Sequence, residues 1–377
     1  MNHRLVIDVS SVPPRPAGAG RYAIELVSRL CAISGGINLV TKGRDTAFWR
    51  AFGPEDIVLA SPNSRPLRIF WEQALLSRRL GGKGVNIYHG LHYVVPKGYR
   101  GATVSTIHDL TMIEHPEWHE RSKVAYFARA IRFAVESADA IIVPSVFTRS
   151  RLEALFGHLE KIWVIHHGVD HARFNHGGEI EQEADPAYTS RRGEDVKVIL
   201  HIGTIEPRKN IGNLIKGFDI FAKGNSDARL VLVGQRGWNY GEVFRTLSSS
   251  KYRERISEIG YIAEDDLIGL MRKASCVAYP SFAEGFGLPV LEAMAVGVPV
   301  VTSAGTVMEE VAGDCAWLCD ALDPIDIADK LEQATSGSVT VSSKVARGAQ
   351  RAKEFDWAKS ATRHLEVYRA LGFGSES

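Results

Sequence analysis

Short runs of aliphatic and β-branched residues, closed by Gly, Pro or polar residues, recur along the first half of the chain. They are RLVIDV from Arg4, NIYHG from Asn86, ATVSTIHD from Ala102, DAIIVPS from Asp139 and KIWVIHHG from Lys161. Runs of this length and composition predict strands. Over 122–137 the period changes: Val124, Phe127, Ala128, Ile131, Ala134 and Val135 make one apolar stripe, while Arg129, Arg132 and Glu136 face elsewhere. That pattern predicts an amphipathic helix, and strand–helix–strand order predicts a parallel sheet.

The pattern lapses over 175–195, where HGGEIEQEADPAYTSRRGED is charged and rich in Gly and Pro, as a linker is. It restarts near Val196 with VKVILHIG, a helix over 210–223, ARLVLVG, a helix over 265–274, CVAYP, a helix from Pro289, and VPVVTS. The expected fold class is α/β, with two Rossmann-like domains at 1–180 and 190–355. A chain of 377 residues exceeds the usual size of one core, which agrees with two domains.

Composition removes several function classes. Lys plus Arg (45) nearly balances Asp plus Glu (44), so no polyanion or nucleic-acid partner is expected. Four scattered cysteines, Cys31, Cys276, Cys315 and Cys319, suit a reducing cytoplasm, and the close pair Cys315 and Cys319 is read as packing, not as a zinc site. No run approaches the roughly 20 apolar residues that span a bilayer, so any membrane contact is expected to be peripheral. RPLRIFWEQALLSRRL, from Arg65, mixes Arg with Phe70, Trp71 and Leu. It reads either as an anionic-membrane contact or, by preference, as a core-packing helix with a basic outer face.

Open parallel sheets bind ligands at the carboxyl ends of their strands. The loop after CVAYP runs from Ser281 to Leu288 and leads into a helix with Pro289 in its first turn and Gly297 at its end. Helix N–H groups there favour an anion, and Gly285 and Gly287 let a phosphate approach the main chain. Glu284 lies before this helix and Glu292 about one turn inside it. Carboxylates beside a diphosphate make sense as acceptors from ribose and sugar hydroxyls; otherwise they are two solvated acids. The second loop, HIGTIEPRKN, places Arg208 and Lys209 after a strand ending at Gly203, where they would neutralise a leaving diphosphate or form a solvated basic turn.

In the first half, PRPAGAGRY follows the first strand, and Gly18 and Gly20 either line the ligand edge or mark only a tight turn. His108 and Asp109 close ATVSTIHD, where a neutral imidazole would meet a sugar hydroxyl or sit as a structural histidine. His166 and His167 fall where the chain reads as an interdomain connection and are given no metal role.

Taken together, EGFGLPVLEAMAVGVPVV, GTIEPRKN, GAGRY and HDL resemble the retaining glycosyltransferases of family 4, over nearly the whole chain. The family's E-x7-E pattern is present as Glu284 and Glu292, and VPSVFTRSRL and HHGVD also look like family blocks. The resemblance implies a GT-B fold: two Rossmann-like domains facing each other across a cleft, with the donor on the C-terminal one and the acceptor mainly on the N-terminal one. It also implies a C-terminal helix, here 357–372, packing back on the first domain. Residue by residue, it implies Glu292 on the ribose, Glu284 on the transferred sugar, and the backbone of Phe286, Gly287 and Leu288 on sugar or phosphate. His108 would meet a sugar hydroxyl, and Arg208 and Lys209 the diphosphate. Gly18, Gly20, Gly203 and Thr204 would line the donor, with Tyr261 and Ile262 near the base. Many members carry Arg where this chain has Thr204, so Arg208 is expected to take more of the phosphate charge.

No D-x-D motif occurs in the sequence, so no metal and no cofactor is expected beyond the nucleotide-sugar donor as co-substrate. The implied chemistry is front-face transfer with retention. The closest set of motifs is mannosyltransferase-like, from bacterial surface polysaccharide assembly, so GDP-mannose is the first donor expected and a UDP- or dTDP-sugar the alternative. The partners are then that donor, a glycan or lipid-linked glycan acceptor and the inner membrane surface. The rival readings are a nucleotide-sugar epimerase of the same architecture, which would convert a free nucleotide sugar without acceptor, and a binding-only descendant.

Overall fold

The computed structural model describes residues 4–14, 16–175 and 196–374. They form two compact units: the first holds the chain up to Glu114, Arg121–Gly168 and everything from Asp356 on, and the second holds His115–Glu120 and Val169–Phe355. The change-over near Gly168 comes earlier than the shift in composition at 175–195. That stretch, beyond Asn175, lies outside the described residues.

In the first unit seven strands are all parallel: β1 (Arg4–Asp8), β2 (Ile37–Lys42), β3 (Asp56–Ser61), β4 (Val85–Gly90), β5 (Ala102–Thr106), β6 (Ala140–Val143) and β7 (Ile162–Val164), in the order β3-β2-β1-β4-β5-β6-β7. The central strands read as unbroken apolar runs because helices cover both faces; Leu5, Val6, Ile7, Leu39 and Ile87 are fully buried. Burying each such side chain contributes about 2 kcal/mol. The helix expected over 122–137 is Arg121–Ser137, buried through Ile131, Ala134 and Val135. Helix Val146–Phe156 starts where the Ser145 hydroxyl accepts from Thr148 N at 3.0 Å.

Helix Trp357–Ala370 also belongs to this unit. Asp356 caps it by accepting from Ala358 N at 2.6 Å, and Trp357, Ala361, His364, Leu365 and Tyr368 are buried, the helix packing on Ala19–Ile33. RPLRIFWEQALLSRRL forms two helices, Arg65–Ala74 and Leu76–Gly82. Trp71, Leu76 and Leu80 enter the core as expected, but the outer face is not only basic, since Leu67 and Phe70 are 61% and 64% exposed.

In the second unit six parallel strands are β8 (Val198–Ile202), β9 (Arg229–Val233), β10 (Ile256–Gly260), β11 (Cys276–Tyr279), β12 (Val300–Ser303) and β13 (Trp317–Cys319), ordered β10-β9-β8-β11-β12-β13. Ile199, Leu230, Leu232, Phe218 and Ile327 centre one core, which includes Cys276 and Cys319 as apolar filler; Cys315 is buried as well. Beyond the last residue of β9, Gly234 (φ +148°) accepts no side chain, because a Cβ there would lie 2.0 Å from Gly203 O. Gly234→Ala is therefore expected to cost about 2 kcal/mol or more, read as a lower urea midpoint. An unchanged midpoint would remove the argument.

Candidate active site

The strand order of the second sheet reverses between β8 and β11, and ligands of open parallel sheets bind beyond the carboxyl ends at such a reversal. The loops leaving these two strands carry Arg208 with Lys209 and Glu284. Pro207–Lys209 is a single 3-10 turn, stopped by Asn210 in the left-handed conformation (φ 57°). The Asn210 amide donates to Pro280 O (2.9 Å) and Ala321 O (2.6 Å), and Phe282 N donates to Arg208 O (2.9 Å). These bonds join the two loops, so their side chains are held in register.

Glu284 stands between both cations. Lys209 Nζ donates to Glu284 Oε1 at 2.5 Å and to Tyr279 Oη at 2.6 Å, and Tyr279 Oη donates to the same carboxylate oxygen at 2.9 Å. Arg208 Nη1 donates to Glu284 Oε2 at 2.6 Å and to Ala283 O at 3.0 Å, while Nη2 donates to Glu206 Oε1 at 2.9 Å. Two cations thus face two carboxylates. The sequence reading gave the cations to phosphate and Glu284 to sugar as separate contacts; the structure joins them in one charge-balanced network.

Burial pushes the Glu284 carboxyl up, but Arg208, Lys209 and their hydrogen bonds more than reverse this and hold it down at about 2. Glu284 is therefore ionised at any working pH and can accept hydrogen bonds but not donate a proton. Burial, then Arg208, lowers Lys209, with Glu284 opposing. Burial raises the Tyr279 phenol, so it stays a neutral donor.

The helix after Glu284 is Leu288–Val296, opened by Gly287 at φ 93° and closed by Gly297 at φ 85°. A Cβ on Gly287 would meet Met308 Sδ at 3.4 Å, so both conformation and space favour Gly. Glu292 is 3% exposed on this helix, and Phe286 is buried against Phe355, ring centroids 5.8 Å apart. Neither glutamate is a solvated surface acid. Gly203 and Thr204 begin the loop after β8, where Gly203 N donates to Val233 O at 2.8 Å and the Thr204 methyl underlies Gly237. Tyr261 and Ile262 follow β10 at the same sheet edge, two strands from β8, with Tyr261 half exposed.

Gly18, Gly20 and His108 belong to the first unit. Gly18 opens helix Ala19–Ile33 at φ 41°, and a Cβ on Gly20 would lie 2.9 Å from Pro16 Cβ. His108 lies two residues past β5, buried, its Nε2–H donating to Leu91 O at 2.8 Å. Burial lowers it, leaving a neutral ring with Nδ1 as acceptor. His167 corrects the reading of a connecting segment: it is buried in the first unit between Tyr22 (4.7 Å) and Trp357 (5.5 Å).

Sequence reasoning missed Tyr279, Glu206, Asn210 and His201. Tyr279 ends β11, so the strand-end rule that found Glu284 points to it as well. His201 is fully buried, donates from Nδ1 to Ala278 O at 2.9 Å, lies parallel to the Tyr279 ring at 5.7 Å, and is held down at about 4 by burial. The segment His115–Glu120 carried no signal, yet Trp118 lies parallel to Phe282 at 5.8 Å, beside the Glu284 loop.

Two family models cover most of the chain: Glycosyltransferase Family 4 matches residues 16–173, and Glycosyl transferases group 1 matches residues 188–354. The O-antigen chain mannosyltransferase B of Escherichia coli is 30% identical over 371 residues, 94% of this chain and 96% of the relative. Among solved structures, sucrose-phosphate synthase from Thermosynechococcus elongatus superposes with a TM-score of 0.76 at 17% identity, over 99% of this chain and 100% of that one. WaaG, a glycosyltransferase involved in lipopolysaccharide biosynthesis, does so with 0.75 at 15% identity, over 96% and 99%. The fold, the two matched models and the full-length relative place this chain among the family 4 glycosyltransferases, with two Rossmann-like domains of the GT-B type.

Proposed function

We propose that this glycosyltransferase moves mannose from GDP-mannose, with retention and without a metal, onto a glycan or lipid-linked glycan acceptor in surface polysaccharide assembly. The observation that carries the transfer chemistry is the Arg208–Lys209–Glu284 network at the reversal of the second sheet. The donor is suggested by the mannosyltransferase relative.

In this reading the diphosphate takes the N–H groups of Lys209 and Arg208, which meet its growing charge as the anomeric C–O bond breaks. The bond's electrons leave with the diphosphate. The acceptor oxygen bonds to the same face of the anomeric carbon, and its proton passes to a leaving phosphate oxygen. Glu284, ionised, accepts from hydroxyls of the transferred sugar, and Glu292 from the ribose. The backbone of Gly203, Thr204, Phe286, Gly287 and Leu288 lines phosphate and sugar, Tyr261 and Ile262 the base, and His108 a sugar hydroxyl.

A thermal-shift and hydrolysis screen of GDP-mannose, UDP-glucose and a dTDP-sugar, run in EDTA, tests donor and metal independence together. A donor at about 100 times its Kd adds roughly 2.7 kcal/mol of stability, so GDP-mannose is expected to raise the melting temperature by several degrees and to be hydrolysed. A response only to UDP-glucose moves the donor assignment, and silence to all three sinks the reading.

Among the described residues no helix is long and apolar enough to cross a membrane. Exposed Leu67 and Phe70 lie on two consecutive helices with Arg65, Arg78 and Arg79 and support peripheral contact with the inner face of the membrane, from the cytoplasm. Phosphatidylglycerol vesicles are expected to sediment the wild type and not Leu67→Asp/Phe70→Asp; equal sedimentation of both would discard this contact.

A further inference from the structure

The buried cluster in which Tyr88 donates to Asp8, Arg68 pairs with Glu72 and Tyr126 donates to Glu72 is closed by its own hydrogen bonds. The amino edge of the same sheet is open. There a cavity of about 580 Å³ lies between helix Leu76–Gly82, the starts of β4 and β5 and the end of helix Trp357–Ala370. Val85 and Asn86 are the first two residues of β4, and Ala102 is the first of β5. His108 leaves from the other end of β5, beyond Thr106, and four residues of strand at about 3.3 Å each put roughly 13 Å between the two ends. The cavity is therefore on the edge opposite to the one where open parallel sheets hold their reactants.

The charged part of its lining is entirely cationic. Arg78 and Arg100 both border the cavity, and among the described residues no carboxylate lines it and neither guanidinium has an ion pair or a hydrogen bond. Arg4, near the same edge, is by contrast tied to Asp56 and Asn38 at 3.2 Å each. Asn86 Oδ1 accepts from Arg4 N at 3.0 Å, which leaves its amide N–H groups to donate, and Ser77 adds a hydroxyl. Tyr99 Oη donates to Val85 O at 2.8 Å, which leaves the phenol oxygen as an acceptor. Gly101 makes room for that phenol, since a Cβ there would lie 2.5 Å from Tyr99 Oη.

Charge and size define the ligand. Two guanidiniums balance a phosphate monoester, which carries close to two negative charges above about pH 6, better than they balance the single charge of a diester. Small-molecule sites measure roughly 300–1,000 Å³, so this cavity has room for a sugar-sized body beyond the phosphate. We propose that it is a sugar-phosphate site, in which Arg78 and Arg100 hold the monoester while Asn86, Ser77 and Tyr99 meet the hydroxyls. It is an effector site and not a reactant site, because it opens on the amino edge of the sheet. Leu371, which closes helix Trp357–Ala370, borders it, so the ligand touches the C-terminal helix as well as the sheet. The proposal is independent of which nucleotide sugar the second unit takes.

Titration calorimetry of the whole chain with glucose 6-phosphate and mannose 6-phosphate, without nucleotide sugar, reads the site directly. The wild type is expected to bind at least one of them, with affinity falling below about pH 6 as the monoester takes up its second proton. Arg78→Gln/Arg100→Gln should weaken that binding by about tenfold or more for each arginine. Both side chains are exposed and unpaired among the described residues, so this variant should melt as the wild type does and hydrolyse nucleotide sugar at the same rate. Arg79→Gln/Lys83→Gln removes the same charge from neighbouring side chains outside the cavity and should weaken binding by less than about twofold. Equal weakening in the two double variants would reduce the effect to diffuse surface attraction. Loss of binding in Arg208→Gln but not in Arg78→Gln/Arg100→Gln would move the phosphate to the second unit, and tighter binding of dihexanoyl phosphatidylglycerol, a diester, would make the ligand a lipid headgroup. Any of these three results, or no binding of either sugar phosphate by the wild type, overturns the proposal.

Discussion

Glu284→Gln is expected to lower sugar transfer by at least about a hundredfold, and also to destabilise the second unit. On the proposed mechanism the loss of rate follows from removing an ionised acceptor of the sugar hydroxyls, where one well-placed group is worth roughly 10²–10³ in rate. The loss of stability follows from burial: Lys209 is 8% exposed, and Glu284 and Tyr279 are its hydrogen-bond partners. Breaking a buried pair costs about 3–5 kcal/mol when the remaining charge stays. Lys209 is already lowered by burial and can shed its proton, so the lower end applies. On sequence alone both residues act in a cleft and their replacement leaves the fold intact; the network adds an expected cost in stability. Glu284→Gln/Lys209→Met should recover most of the lost stability, since no buried charge is left unpaired, without recovering transfer. Urea midpoints and kcat for the two single variants and the double separate the effects. A Glu284→Gln enzyme with more than a tenth of wild-type turnover would falsify the assigned role, and a double variant no more stable than the singles would remove the coupling.

Most interior strands were legible because they are apolar on both faces, although the buried Ile37–Lys42, interrupted by Asn38, Thr41 and Lys42, was not. Arg4–Asp8, Ala140–Val143 and Val198–Ile202 fall within a residue or two of the runs that predicted them. Of the outer strands, only Ile162–Val164 was legible, through KIWVIHHG. Asp56–Ser61 and Ile256–Gly260 keep polar, half-exposed positions, and Trp317–Cys319 is three residues long, so none of them carries a run that stands out. At the candidate active site, the residue types and strand-end positions of Arg208, Lys209 and Glu284 were readable, but their mutual pairing was not. It depends on two loops 70 residues apart in sequence, held by Asn210 to Pro280 O, and no local pattern encodes that approach. The Asp8–Glu72 cluster was hidden for the same reason: four elements from different parts of the chain meet there, and each contributes a residue that is unremarkable in its own segment.

Acidification from pH 7.5 to 5 is expected to loosen the C-terminal helix from the first unit before the second unit unfolds. The helix is held by a histidine–tyrosine network in which every imidazole is buried and neutral. Tyr22 Oη lies 3.0 Å from Thr106 Oγ1 and 2.9 Å from His364 Nε2; His89 bridges Thr106 Oγ1 (2.9 Å) and Tyr368 Oη (2.7 Å). His364 Nδ1–H donates to Ser360 O at 2.7 Å. Burial holds His364 down at about 4 and His92 at about 3, and it places His89, His108 and His167 below the usual value as well. In the unfolded chain these imidazoles titrate near 6.5. Below that pH the unfolded state binds more protons, so the stability they contribute is full above about 6.5 and drains as pH falls toward 4. At pH 5 an imidazole held as low as that of His364 removes about 2 kcal/mol. Asp8 and Glu72 work the other way, since their raised values favour the folded state on acidification, but two carboxyls oppose five imidazoles. With total stabilities of about 5–15 kcal/mol, the net loss should be visible as earlier melting and as faster hydrogen exchange in 357–370 at pH 5 than at pH 7.5, after correction for intrinsic exchange. Second-unit amides in Ile211–Gly224 serve as the reference, because that unit holds a single such imidazole, His201, against five in the first. Equal protection of 357–370 at both pH values would mean that the imidazoles are not what ties this helix down.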